Sequence, residues 1–231
     1  DYLVRCGVSE LKLKTITNGI DISRYKRASD ADNRRLKLTL GADPSKLLIA
    51  SGGASVPFKR HDLFFETLAA LAKRRELPPF DSIFLGEPST PSLANAISAA
   101  RTAMEARGGR LVLPGHISNT EDVLGAADIF LSASDAEPFG RMVVEAMASG
   151  SAVAAFNIGG PTEIVDDGVN GLLVKTPSVE AMSDAAARLI TDEPFRRSIS
   201  QTASDTARTR FDSYRVCREV AGLYQEIVFG R

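Results

Sequence analysis

The chain has 231 residues, a formal net charge of −1, and 44% hydrophobic against 25% charged residues, an ordinary balance for a soluble globular protein with a real core. Tryptophan is absent and aromatics are 6%, which argues against a stacking platform for nucleic acid. Two cysteines and two histidines, none in a paired motif, argue against a disulfide scaffold or a zinc or His-rich metal site and suit a reducing compartment, so a cytoplasmic placement is expected.

In chain order, Asp1–Gly7 reads as a helix already under way, so a fragment start is expected, and no signal peptide is visible. Residues 1–60 hold twelve Lys/Arg against six Asp/Glu (+6), and the remainder sixteen against twenty-three (−7). The basic front suits phosphate or peripheral contact with the inner face of a membrane, with a solvated, salt-bridged face as the plain alternative. Predicted strands are Thr15–Thr17, Leu47–Ser51, Ser82–Leu85, Arg110–Leu113, Asp128–Leu131, Ala152–Ala155 and Gly171–Val174. Predicted helices are Ala31–Leu40, Asp62–Arg75, Ser92–Arg107, Glu121–Ala126, Arg141–Ser149, Val179–Thr191, Glu193–Thr209 and Ser213–Phe229. No apolar run approaches the roughly 20 residues of a membrane span. Short apolar runs alternating with longer amphipathic stretches indicate βαβ units: an α/β fold with a doubly wound, Rossmann-like parallel sheet, in one domain. Ligands of such sheets sit beyond the carboxyl ends of the strands, so the chemistry belongs to the loops there.

The richest loop follows Asp128–Leu131. Glu137 lies just before Gly140, which opens a helix that Gly150 closes, and Glu145 lies about one turn inside it. A helix N-terminus offers free N–H groups to phosphate, and the two carboxylates could bracket that phosphate and accept hydrogen bonds from sugar and ribose hydroxyls. Read alone, the pattern is equally compatible with Glu137 serving the helix dipole and Glu145 being an exposed charge. After Ala152–Ala155, Gly159-Gly160-Pro161 marks a tight turn into a short helix.

The stretch Glu137–Val174 resembles the signature of the large retaining glycosyltransferase family with the GT-B fold, glycosyltransferase family 4 type ("glycosyl transferases group 1"). It has two glutamates seven residues apart, Phe139-Gly140 between them, Glu145-Ala-Met-Ala-Ser-Gly150, and Gly159-Gly160-Pro-Thr-Glu163-Ile-Val leading to Gly171-Leu-Leu-Val. Asn18-Gly19-Ile-Asp21 and Leu113-Pro-Gly115-His-Ile117 resemble further family loops. The resemblance implies one half of a GT-B fold: residues 15–231 as a Rossmann-like donor-binding domain with C-terminal helices, and residues 1–14 as the tail of a missing N-terminal acceptor-binding domain or as a linker. It implies a metal-independent transferase taking a nucleoside diphosphate sugar, most simply a UDP- or GDP-sugar, in polysaccharide or glycolipid biosynthesis, with no separate cofactor and no nucleic-acid partner. The fragment alone is expected to be inactive. A non-catalytic nucleotide-sugar-binding module of the same fold is the alternative.

By position, the resemblance assigns the catalytic roles to Glu137, at the donor sugar, and Lys59, which neutralises the leaving diphosphate. Glu145 takes the ribose hydroxyls, and Phe139, Gly140 and Arg141 offer backbone N–H groups to the sugar or distal phosphate. Gly115, His116 and Ile117 frame the base. Two departures stand out: Gly53 replaces the family's arginine, and Arg60 replaces the glycine after the lysine. Arg60 and the Gly52-Gly53 loop are therefore expected to help cradle phosphate. Arg141-Met142 replaces the common Leu-Pro, a change expected to touch backbone contacts only. A nicotinamide-dependent reading fails because Ser51-Gly-Gly-Ala-Ser55 lacks the G-x-G-x-x-G spacing, with Glu87 only a weak stand-in for the ribose-binding acid.

Overall fold

The middle of the sheet is covered on both sides. The computed structural model describes residues 2–88 and 91–230. Its elements are α1 (Tyr2–Arg5), α2 (Asp30–Thr39), β1 (Leu48–Gly52), α3 (His61–Lys73), β2 (Asp81–Leu85), α4 (Pro91–Glu105), β3 (Leu111–Val112), α5 (Thr120–Ala126), β4 (Ile129–Ser132), α6 (Arg141–Ala148), β5 (Ala152–Phe156), α7 (Pro161–Ile164), β6 (Leu172–Val174), α8 (Val179–Thr191), α9 (Glu193–Arg210) and α10 (Ser213–Phe229). Six parallel strands run in the order β3-β2-β1-β4-β5-β6. This is the expected doubly wound, Rossmann-like sheet.

Side chains alternate between two cores because successive residues of a strand face opposite ways. Ile49, Ile129, Leu131, Ala152 and Ala154 join a core with α3, α4 and α8, centred on Phe64, Phe65, Phe84 and Met104. Leu48, Ala50, Phe130, Val153 and Ala155 join the opposite core with α5, α6 and α9. A strand buried on both faces favours apolar residues throughout, which is why these runs read as largely apolar; the buried serines at 51 and 82 donate to backbone carbonyls. Side-chain caps start several helices: Ser29 accepts from the Asp32 N–H, Ser178 from Ala181, Asp192 from Phe195 and Asp212 from Tyr214.

One strand expected from the sequence is absent. Residues Thr15–Thr17 run extended without pairing, and only Ile20 bridges to Asp212, at the start of α10. Apolar β-branched residues make a strand only where an edge is offered, and the sheet ends at β3 and β6. The remaining predicted elements are present with boundaries shifted by a few residues. Short 3-10 turns form at Glu10–Lys12, Ile22–Arg24 and Pro57–Lys59. Neither α1 nor α10 buries a residue, and Tyr214, Tyr224, Ile227, Val228 and Phe229 of α10 are exposed. No described helix is long and apolar enough to cross a membrane.

Candidate functional site

At the carboxyl ends of β1, β2 and β3 the loops touch through backbone. The Gly53 N–H donates to the Leu85 carbonyl at 2.9 Å and the Gly86 N–H to the Gly115 carbonyl at 3.3 Å. A Cβ on Gly86 would stand 2.8 Å from the Gly53 carbonyl oxygen, so a side chain there would force these tips apart. Beside them opens a cavity of about 560 Å3 lined by Gly53, Ala54, Ser55, Glu87, His116, Ile117 and Thr120, with Met142 on its wall. A larger open hollow of about 690 Å3 between α3 and α4 is lined by Lys73, Arg75, Asn95 and Arg107 with no carboxylate, and lies away from the loops at the carboxyl ends of the strands.

The loop between β4 and α6 carries Glu137 into the site. The Asp135 N–H donates to the Phe58 carbonyl at 2.9 Å and the Gly160 N–H to the Glu137 carbonyl at 2.7 Å. The loop is thus stitched to the Pro57–Lys59 turn on one side and to the loop after β5 on the other. Gly140 opens α6 with φ +102, a left-handed conformation that suits glycine, and its N–H donates to Glu137 Oε1 at 3.1 Å. Lys59 Nζ donates to Glu137 Oε2, and the Ser134 hydroxyl stands 3.5 Å from the same oxygen. Glu137 is 8% exposed, and a carboxylate so buried needs such partners. Lys59, Glu137, Ser51, Ser132 and Ser134 enclose a second cavity of about 10 Å3, room for a single water.

Glu145, 5% exposed, is the other buried carboxylate. Arg141 Nε donates to its Oε1 at 2.8 Å across one helical turn. Tyr25 sits against the same group: burial first, and then the Glu145 charge, push its hydroxyl above the ordinary tyrosine range. His61 opens α3 behind Lys59, edge-on to Phe84 at 4.7 Å. Burial first, then the Lys59 charge, lower its pKa to about 4, so the ring is neutral. Its Nε2 is buried without a partner.

The structure thus brings together most of the residues singled out from the sequence. Glu137, Lys59, Gly52 and Gly140 line the small cavity, and Gly53, His116 and Ile117 the large one. Gly115 and Phe139 stand just outside them, the latter ring packed against Phe211 at 6.0 Å. Arg60 lines neither cavity. Its guanidinium is committed to Asp62, at 2.9 Å, and to Asp135, at 3.3 Å. Arg60 also adopts φ +46, a left-handed conformation costly for a residue with a Cβ, which gives the physical reason a glycine suits that position. The view of Arg141-Met142 as a purely backbone change needs correcting: the Arg141 side chain pairs with Glu145 and Met142 lines both cavities. Sequence reasoning missed Tyr25 and Thr120, which no local motif marks. Among the described residues no cluster of three or more His, Cys, Asp or Glu is placed to hold a metal ion.

Comparison with known proteins follows the same lines. The family described as glycosyl transferases group 1 matches residues 32–206. The chain is 31% identical to the lipopolysaccharide core biosynthesis mannosyltransferase LpsB of Rhizobium meliloti, over 92% of this chain and 60% of that protein. It is 31% identical to a D-inositol 3-phosphate glycosyltransferase of Saccharomonospora viridis, over 98% of this chain and 53% of that protein. Among solved structures, Anabaena HepE in complex with UDP and glucose aligns with a TM-score of 0.79 at 25% identity, over 96% of this chain and 59% of that one. The C-terminal domain of a glycosyl transferase group 1 family protein, LpcC of Francisella tularensis, aligns with a TM-score of 0.68 at 25% identity, over 84% of this chain and 99% of that domain. The chain spans between about two-fifths and three-fifths of the length of the curated relatives it matches. Its match across most of its length, together with the sheet order and the Glu137–Glu145 loop, places it in the family of group 1 glycosyl transferases, as a chain with the fold of one half of a GT-B enzyme.

Proposed function

We propose that this chain is the donor-binding domain of a retaining, metal-independent glycosyltransferase, and that it takes a nucleoside diphosphate sugar at the carboxyl ends of its strands. The observation that carries the reading is the pair of buried carboxylates, Glu137 and Glu145, on either side of the first turn of α6, with Glu137 lining the small cavity. Buried carboxylates accept hydrogen bonds and donate none, which fits hydroxyls of a sugar at Glu137 and of a ribose at Glu145. Between them the first N–H groups of α6, from Arg141 onward, lack partners within the helix and suit phosphate oxygens. The base lies against Gly115, His116 and Ile117, and the Gly52-Gly53 loop supports the diphosphate. Lys59, close to the bond that breaks, stabilises the charge that grows on the departing diphosphate. Support comes from the relatives: HepE was solved with UDP and glucose, and this chain covers only part of each full-length relative. On this reading the acceptor belongs to a further domain, contributed by residues 1–14 and chain beyond them, and the 231 residues alone bind donor without transferring sugar. The site works on the cytoplasmic side, with peripheral membrane contact through the basic first 60 residues.

A melting-temperature panel of UDP, GDP, ADP and TDP, free and as their common sugars, tests the reading, because a ligand that binds the native state raises the transition by mass action. One base family is expected to stabilise the chain, and Glu145→Ala to weaken that ligand by roughly 1.5–3 kcal/mol, with much less loss for a deoxyribose analogue. A flat panel, or equal losses for ribose and deoxyribose ligands, refutes it. A second reading, a binding module without turnover, is favoured by Gly53, which lacks the family's arginine. At φ +134 a Cβ there would stand 3.4 Å from the Lys59 side chain. Sugar transfer by the longer protein separates the two readings.

A further inference from the structure

Three cations stand near the proposed donor site, and they are not equally available. Lys59 is largely buried and spent on Glu137. Arg60 is spent on Asp62 and Asp135. Arg141 is 73% exposed and is held on Glu145 through Nε, with the Tyr25 hydroxyl a further neighbour of the guanidinium, so its terminal nitrogens are not taken by that carboxylate. A guanidinium presents five N–H donors in a planar fork that matches a phosphate edge in a two-point contact. Arg141 therefore has the donors to hold Glu145 with one nitrogen and a phosphate with the other two. Its position favours this, since it is the first residue of α6, directly after the Gly140 whose N–H holds Glu137. The loop after β1 carries no cation of its own at Gly53, and the Lys59 side chain already fills the space above that backbone.

We propose that the Arg141 side chain is the guanidinium that binds the diphosphate of the donor in this protein. The inference rests on the donor-site reading above and adds to the phosphates a second side chain, a guanidinium, beside Lys59. Arg141 neutralises Glu145. When ribose hydroxyls reach that carboxylate, the guanidinium stays beside it and turns its terminal nitrogens to the phosphates. The buried Glu145 thereby orients the arginine, and the arginine couples the ribose end of the ligand to its phosphate end.

Calorimetric titration decides this with uridine, UMP and UDP, and with guanosine, GMP and GDP, at one fixed salt concentration. The proteins compared are the 231-residue chain and its Arg141→Leu and Arg141→Lys variants. Each variant's melting transition is measured first. Arg141→Lys keeps a positive charge for Glu145 and so preserves the fold if Arg141→Leu does not. The expected result is graded: about tenfold or greater loss for the diphosphate, a smaller loss for the monophosphate, and nucleoside affinity unchanged or improved. Arg141→Lys recovers only part of the loss, because an ammonium lacks the fork. Equal losses for nucleoside and diphosphate mean that Arg141 acts only by orienting Glu145, and overturn the proposal. Parent-like diphosphate affinity in Arg141→Leu overturns it while leaving the donor-site reading intact. If the parent binds none of the six ligands and the melting panel is flat for ADP and TDP as well, the donor-site reading itself is lost and the proposal with it.

Discussion

Gly160 lies so close beneath Phe139 that a methyl group at 160 would stand 2.0 Å from the Phe139 carbonyl oxygen. The Gly160 N–H donates to the Glu137 carbonyl in the same contact, at 2.7 Å, so the loop after β5 braces the loop that carries Glu137. Read from the sequence, Gly159-Gly160 is only a tight turn. Its second glycine is needed for close approach: φ at Gly160 is −52, which any residue adopts. Both atoms at the contact belong to the main chain, so no rotamer change relieves it. Gly160→Ala is expected to lower stability by about 1–3 kcal/mol or more and to weaken nucleotide-sugar binding by displacing residues 137–139. Gly222→Ala is the control: a Cβ there meets nothing within 4 Å, and a helical alanine adds roughly 0.5–1 kcal/mol. Denaturant midpoints of both variants test the contrast, and equal midpoints contradict the brace.

On the proposed reading, the Lys59–Glu137 pair separates the two ends of a donor. Lys59→Ala is expected to reduce diphosphate affinity about tenfold or more, ~1.4 kcal/mol, and to cost stability as well, because Glu137 is left buried without its cation. Glu137→Gln is expected to leave plain diphosphate affinity near the parent value while weakening the intact nucleotide sugar. Titration of UDP and UDP-glucose, or of the GDP equivalents, into both variants reads this out. A large loss of plain diphosphate binding in Glu137→Gln would show that the carboxylate serves the phosphates instead.

His61 makes the fold acid-sensitive in a defined window. The folded ring titrates near 4 and the unfolded one near 6.5, so the unfolded chain binds the extra proton first. Stability is therefore expected to fall as pH drops from 6.5 towards 4 and to lose this dependence below that range. Carboxylates titrate in the same region, so the informative quantity is the difference between parent and His61→Gln. The stability-against-pH curve of His61→Gln is expected to be flatter across that window. Parallel curves for the two proteins would show that His61 makes no contribution.

Asp128 anchors the opposite end of the sheet. Burial opposes its charge, but Lys37 at 2.8 Å, Arg27 at 2.8 Å and the Leu48 N–H at 2.9 Å hold the carboxyl below its usual range. Lys37 is itself buried, its other partner the Lys46 carbonyl at 2.7 Å. Asp128→Asn leaves that lysine without its counter-charge and is expected to cost roughly 3–5 kcal/mol. The depressed pKa means that the stabilisation is present above the ordinary carboxylate value and is lost as pH falls through the folded one. Urea unfolding of Asp128→Asn at neutral pH checks this, and a cost below 1 kcal/mol would show that the charge is dispensable, on the scale of an exposed ion pair.

What the sequence disclosed follows from how local each signal is. The helices Val179–Thr191 and Ser213–Phe229 were legible to the residue, because Ser178 and Asp212 cap them and their apolar spacing is internal to each segment. Thr15–Thr17 misled because strand formation needs a neighbouring edge, which no local pattern reports. The glutamates of the α6 loop stood out through their own spacing. The cation that meets Glu137 comes from 78 residues away, so that pairing was beyond any local pattern. Tyr25 was invisible for the same reason: its significance lies in what it touches, 120 positions along, and a buried tyrosine resembles any core aromatic.

Two acidic side chains give the sheet a rigid lower rim. Asp81 accepts from the Asp43 and Arg110 N–H groups, at 2.6 and 2.8 Å, and Asp128 accepts from Leu48. Chain segments entering β1, β2 and β3 are thereby fastened at their amino ends. The upper rim is made of glycine-bearing tips and open loops. The acidic fastenings and the proposed donor loops thus occupy opposite ends of the same strands. On the proposed reading, inheritance can rewrite residues 54–56 or 116–119 without touching those fastenings, so a lineage can change its preferred donor by drift in loops that the amino-end rim does not depend on.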